Sequence, residues 1–86
     1  MAKRRVSQTG KDADGDITKL CNPGDAWSPR LRADAIKDIE ARTHEYYTLV
    51  GSREAQVYVK SRAGRKFLTT SPDGYGPNNL DNLPDC

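Results

Sequence analysis

Arg30–Val50 reads RLRADAIKDIEARTHEYYTLV, and its two halves decide the fold. In the first half Leu31, Ala35, Ile36 and Ile39 recur at helical spacing, while Arg30, Arg32, Asp34, Lys37, Asp38 and Glu40 fill the other faces. Ser28-Pro29 stands just before, with Ser suited to the N-cap and Pro to the first helical position. The spacing predicts a helix over about 30–41. In the second half His44–Val50 is rich in aromatic and β-branched residues and reads as a strand.

Downstream, Gly51–Glu54 turns the chain, and Ala55–Lys60 alternates. Ala55, Val57 and Val59 are expected to face the core, with Gln56, Tyr58 and Lys60 outward. Ser61–Gly64 is the next turn and Arg65–Thr70 the last strand. Upstream, Asp14-Gly15 is a turn dipeptide that tolerates positive φ. It joins strands expected near 4–9 and 16–21, the first carrying Val6 and Thr9. Asn22-Pro23-Gly24-Asp25 then breaks the second strand. After 70 the pattern lapses. Ser71-Pro72-Asp73-Gly74 turns, and Asn78–Leu83 is suited to one helical turn with Leu80 and Leu83 on one side. The order is ββαβββ plus an irregular C-terminal tail. The cheapest architecture is α+β, a small antiparallel sheet with one helix packed across it. We read one domain over 1–86, with an ordered core at about 4–70 and an irregular tail at 71–86. No parallel βαβ signature is visible.

A chain of 86 residues supports one thin core and little depth for an internal pocket. Its net charge of +2 is too small to argue for nucleic acid or membrane from the total. No apolar run approaches the roughly 18 residues of a membrane span. The basic start Met1–Arg5 lacks the apolar region of a signal peptide. Two cysteines, Cys21 and Cys86, are too few for a disulfide framework; a bond between them would close a long loop onto the last residue, which is expected to be mobile. Cys21 is therefore expected as a small apolar side chain on a strand, Cys86 as a tail residue, and the protein as cytoplasmic.

Several short pieces in order resemble one bacterial family: Lys11-Asp12 with Gly15-Asp16-Ile17, Leu20-Cys21-Asn22, Trp27-Ser28, Ala33–Glu40, Tyr46-Tyr47 and Asn78–Cys86. That family is the domain of unknown function numbered 3892, and the resemblance covers nearly the whole chain. It implies a small stand-alone bacterial protein. It implies no substrate, cofactor or catalytic residue.

Chemistry must therefore come from the residues. Asp12, Asp14 and Asp16 match the first three ligand positions of a calcium loop, but Ile17 and Pro23 stand where its glycine and bidentate glutamate belong. A solvated turn is expected. Cys21, Cys86 and His44 lack the close pairing of a zinc site, so no metal and no cofactor is expected. Cys21 and His44 have the types of a nucleophile and its base, without a nucleophile elbow or a phosphate-cradling loop. An enzyme is not expected.

Two binding readings remain. The first is a non-catalytic interaction module for a protein partner. Trp27 near the helix start is its anchor if it does not pack on the core, and Leu80 and Leu83 are its docking residues if the tail does not fold back. The second is a nucleic-acid surface. Lys60, Arg62, Arg65 and Lys66 surround one hairpin tip, Lys3, Arg4 and Arg5 add three charges, and Tyr58 is placed outward to stack on a base. The same charges also serve to keep an edge soluble.

Overall fold

A computed structural model of the chain describes residues 2–71 and 78–86. In chain order the elements are β1 (Ala2–Val6), β2 (Gln8–Lys11), β3 (Ile17–Cys21), β4 (Arg30–Leu31) and α1 (Arg32–Glu40). They continue with β5 (His44–Val50), β6 (Arg53–Gln56), β7 (Tyr58–Arg62), β8 (Arg65–Thr69) and a 3₁₀ turn, Asn79–Asn82. The fold is α+β, with mostly antiparallel strands and one helix among the described residues. Among the described residues no helix is long and apolar enough to cross a membrane. The turn expected at 71–74 and the aperiodic 75–77 lie, apart from Ser71, outside the described residues.

The strands fall into three ladders, ordered β1-β5-β6, β2-β3-β4 and β7-β8. Two expected strands are each divided between ladders. The stretch 4–9 breaks at Ser7. Val6 and Thr9, three positions apart, would point to opposite faces of a continuous strand, because its side chains alternate, yet both are buried. The bend resolves this. β1 pairs in parallel with β5, Ala2 opposite His44 through Val6 opposite Thr48. β2 turns away to pair antiparallel with β3. The missing parallel signature is thus corrected: α1 and the β2–β3 hairpin together form the crossover between β1 and β5.

The stretch 55–60 divides at Val57. Its N–H donates to the Tyr46 carbonyl at 2.8 Å, after which the chain leaves β5 and pairs with β8. Alternation continues through the switch, with Val57 buried and Gln56 exposed. The hairpin tip holds Ala63 at φ 52° and Gly64 at φ 78°, the left-handed pair that suits a two-residue turn between twisted strands.

The helix starts two residues later than the spacing predicts. Arg30 and Leu31 are held extended against Leu20 and Lys19 of β3. Leu31 becomes the N-cap and supplies no side-chain cap. Ser28 is not the cap; its hydroxyl accepts from the Asn22 N–H at 2.9 Å.

The core joins Val6, Ile17, Leu20, Ala35, Ile36, Tyr46, Val57, Leu68 and Leu80, with Trp27, Ile39, Val59 and Leu83 packed against it. Leu80 is fully buried because the tail folds back. Asn78 organises that return: its Nδ2 donates to the Leu68 carbonyl, and its Oδ1 accepts from the N–H groups of Thr70 and Leu80. Farther on, the Thr9 N–H donates to the Pro84 carbonyl at 3.0 Å and the Cys86 N–H to the Thr9 carbonyl at 3.2 Å. The chain end so lies along β2. Cys86 and Cys21 are bonded to each other, 65 positions apart in sequence. This corrects the expectation of two separate thiols. Docking of the tail on β2 brings the last residue to the end of β3, a proximity that two isolated cysteines do not announce.

Candidate functional site

A groove of about 480 Å³ opens on the described surface. One bank is β8, Arg65–Thr69, with Arg62 and Ala63 of the hairpin tip. The other is Gly15–Ile17, where the β2–β3 turn enters β3, and Arg32 at the start of α1. Asn78 and Asp81 complete the lining.

Four basic side chains (Arg32, Arg62, Arg65 and Lys66) line this groove against two acidic ones, Asp16 and Asp81. Phe67, partly exposed, supplies apolar surface between them, while Ile17 and Leu68 form its buried floor. The hairpin places these groups for a simple reason. A two-residue turn brings Arg62 directly opposite Arg65, so like charges crowd one tip. The Arg62 guanidinium lies 5.1 Å from the Phe67 ring centroid. Arg32 reaches the Ile17 carbonyl only at 3.5 Å. Lys66 is engaged by Glu40, at 2.9 and 2.7 Å to its two carboxylate oxygens.

The other basic residues singled out from the sequence are placed differently. Lys60 stands on β7 with its ammonium 5.8 Å from the Tyr58 ring, which is half-buried. Lys3, Arg4 and Arg5 belong to the β1-β5-β6 ladder and not to β7-β8. Lys3 donates to Glu54 at 2.6 Å, which raises its pKa, and lies 5.2 Å from the Tyr47 ring. Arg4 turns inward, and Arg5 is exposed. Trp27 packs edge-on against Tyr46 with centroids 5.6 Å apart. Leu83 packs on the core and Leu80 within it, so the tail's apolar side chains are occupied by the fold.

Arg4 enters a cluster that the sequence reading passed over. Asp38, on α1, accepts two bonds from Arg30, each 3.0 Å, and one from the Tyr46 hydroxyl at 2.6 Å. Arg4 donates to the Tyr46 oxygen at 2.9 Å and to His44 Nε2 at 3.2 Å, and its guanidinium lies 5.6 Å from the Trp27 ring. A guanidinium only donates, so Nε2 accepts and the ring proton sits on Nδ1. That buried Nδ1 has no partner among the described residues. Burial pushes the Asp38 carboxyl up, but the Arg30 and Tyr46 bonds outweigh it and hold the group below the usual carboxylate value. Burial, then the bond donated to Asp38, pushes the Tyr46 hydroxyl up.

A pH dependence follows. An unfolded aspartate titrates near about 4. With the folded value depressed, Asp38 stabilises the fold fully above that pH, and the contribution is lost as pH falls through the folded value. The stability gap between the native protein and Asp38→Asn should therefore narrow below about pH 4. Urea midpoints of both proteins from pH 6 to 2 check this.

The carboxylates of Asp12, Asp14 and Asp16 do come together, within 4.8 Å and all exposed. Asp12 Oδ1 is occupied as the turn's acceptor, taking the N–H groups of Asp14 and Asp16 at 2.9 and 3.0 Å. Cys21 and Cys86 are joined in their disulfide, which removes both from the thiolate ligands or nucleophiles considered above.

Residues 2–84 match the family described as protein of unknown function, DUF3892. The chain belongs to that family. No curated protein and no solved structure matches it. Family membership thus assigns no role to the groove, and any role for this DUF3892 chain is argued from its own residues.

Proposed function

We propose that this DUF3892 chain is a small non-catalytic binding module whose groove takes an acidic segment of a protein partner. The observation that carries it is the groove's lining, where four basic groups border the partly exposed ring of Phe67. Such a lining offers charge for orientation and apolar area for affinity. The non-catalytic part is supported by the chemistry of Cys21 and His44. The thiol is tied up in a disulfide, and the imidazole is fixed by Arg4.

A fluorescein-labelled hexapeptide of alternating Glu and Val is a suitable probe. Reversing two groove charges, in Arg32→Glu with Arg65→Glu, should weaken its binding at least about tenfold, a loss of about 1.4 kcal/mol. Fluorescence anisotropy at low salt checks this, and unchanged affinity would contradict the site assignment.

Nucleic acid is the second reading, favoured by the exposed Arg62 and Arg65 at one tip. It calls for single-stranded DNA to bind more tightly than the peptide, with affinity falling steeply as salt rises. The cytoplasmic expectation is likewise a proposal, and the Cys21–Cys86 bond counts against it. Disulfides persist mainly in oxidising compartments. Counting thiols in protein alkylated at the moment of lysis tests it directly: two blocked thiols support the cytoplasmic reading, and none opposes it.

A further inference from the structure

Five successive residues of β8, Arg65 through Thr69, line the groove. Side chains of a strand point alternately to opposite faces, so a hollow that touches five in a row runs along the strand's edge. β8 pairs only with β7 among the described residues. Its register sets which backbone groups face the groove. Arg62 opposite Arg65 closes the two-residue turn as a hydrogen-bonded pair, and Lys60 opposite Phe67 follows as the next one. The N–H and C=O groups of Lys66 and Leu68 then point away from β7. The Leu68 carbonyl confirms the direction, since it accepts from Asn78 Nδ2 rather than from β7. Asn78 so terminates one end of the edge and leaves the Lys66 stretch beside the Arg32 and Asp16 bank.

An edge of this kind invites a further strand unless it is guarded. Arg65 and Lys66 guard it against a second copy of itself, because like charges would meet. With Lys66 held by Glu40, Arg65 and the neighbouring Arg32 and Arg62 favour an acidic strand. We infer that the groove engages its partner by strand addition: an extended, acidic segment of a protein partner pairs with the outer edge of β8 from Arg65 to Leu68. Backbone bonds to the N–H and C=O of Lys66 and to the Leu68 N–H would hold the segment, the Leu68 carbonyl being taken by Asn78. Its alternate carboxylates would meet Arg32, Arg62 and Arg65. This rests on the binding reading above and adds the mode and chemistry of the partner.

The test uses the full chain and three versions of the Glu-Val hexapeptide: unmodified, N-methylated at odd residues and N-methylated at even residues. A strand pairs through alternate residues only. One N-methylated peptide should therefore bind at least tenfold more weakly, while the other stays close to the unmodified one. Amide exchange at Leu68 should slow at least tenfold in the complex with the unmodified peptide. Equal affinities of the two N-methylated peptides, high or low, or unslowed exchange at Leu68, overturn strand addition while the groove reading stands. Failure of the unmodified peptide to bind overturns both, and single-stranded DNA binding in its place replaces them with the nucleic-acid reading.

Discussion

Asp38→Ala should destabilise the fold by about 3 kcal/mol, because it strands two guanidinium groups in a mostly dry site. The Asp38 side chain is 9% exposed, and those of Arg4 and Arg30 are 18% and 35% exposed. The partial exposure of Arg30 places the effect at the lower end of what breaking a buried pair costs. The same change removes the acceptor for the Tyr46 hydroxyl, whose residue is fully buried. Tyr46→Phe isolates that last bond and should cost about 1.5 kcal/mol, as befits a hydrogen bond to a charged group. Arg30→Met combined with Asp38→Leu should lose less than Asp38→Ala alone, since the pair is then replaced and not broken. Urea unfolding followed by circular dichroism measures all three. A loss below about 1 kcal/mol in Asp38→Ala would mean that solvent already screens the cluster.

Cys86→Ser should lower stability by about 4 kcal/mol on the chain-entropy view of a bond that spans 65 positions, and by 2–4 in ordinary experience. Cys86 is exposed, so the serine leaves no hole in the core; Cys21 is buried and would. The effect should also be local in space. Without the bond, the Thr9–Pro84 and Cys86–Thr9 backbone contacts and the Lys11 ammonium, which donates to the Leu83 carbonyl and to Asp85, hold the chain end, and exchange at the Cys86 amide should accelerate first. Leu80 is anchored separately by Asn78 and by the Thr9 hydroxyl, so the 3₁₀ turn should stay docked. Hydrogen exchange on the variant distinguishes this from global loosening, which would show Leu80 and Leu68 exchanging together with Cys86.

Much of the architecture is legible in the residues. The helix shows in the spacing of Ala35, Ile36 and Ile39, β5 in its aromatic and β-branched run, and the two hairpin tips in Asp14-Gly15 and Ala63-Gly64. What local pattern does not reveal is where a strand changes partners. Ser7 and Val57 carry no breaker residue, and both switches are set by which neighbour the next residues can reach. The three-residue separation of Val6 and Thr9 was the available sign. Asp38 had a sign too. It lies three positions after Ala35 and beside Ile39, inside the apolar stripe, where an acid needs a buried partner. The disulfide had none, because two cysteines at such separation meet only through tail docking. Of the candidate site, Arg62, Arg65 and Lys66 were legible as a charged tip. The opposite bank, Arg32 with Gly15–Ile17, was not, since it joins the groove only through the packing of separate ladders.

The central claim is that this groove is where the protein meets its partner. The most direct measurement is an amide-resolved NMR titration of the labelled full chain with the unmodified Glu-Val peptide and, separately, with single-stranded DNA. Peptide shifts should be confined to Gly15–Ile17, Arg32 and Arg62–Thr69, with Lys3–Arg5 and β6 unmoved. Shifts centred on β1 and β6, or a spectrum that the peptide leaves unmoved while DNA shifts the same hairpin, would contradict it.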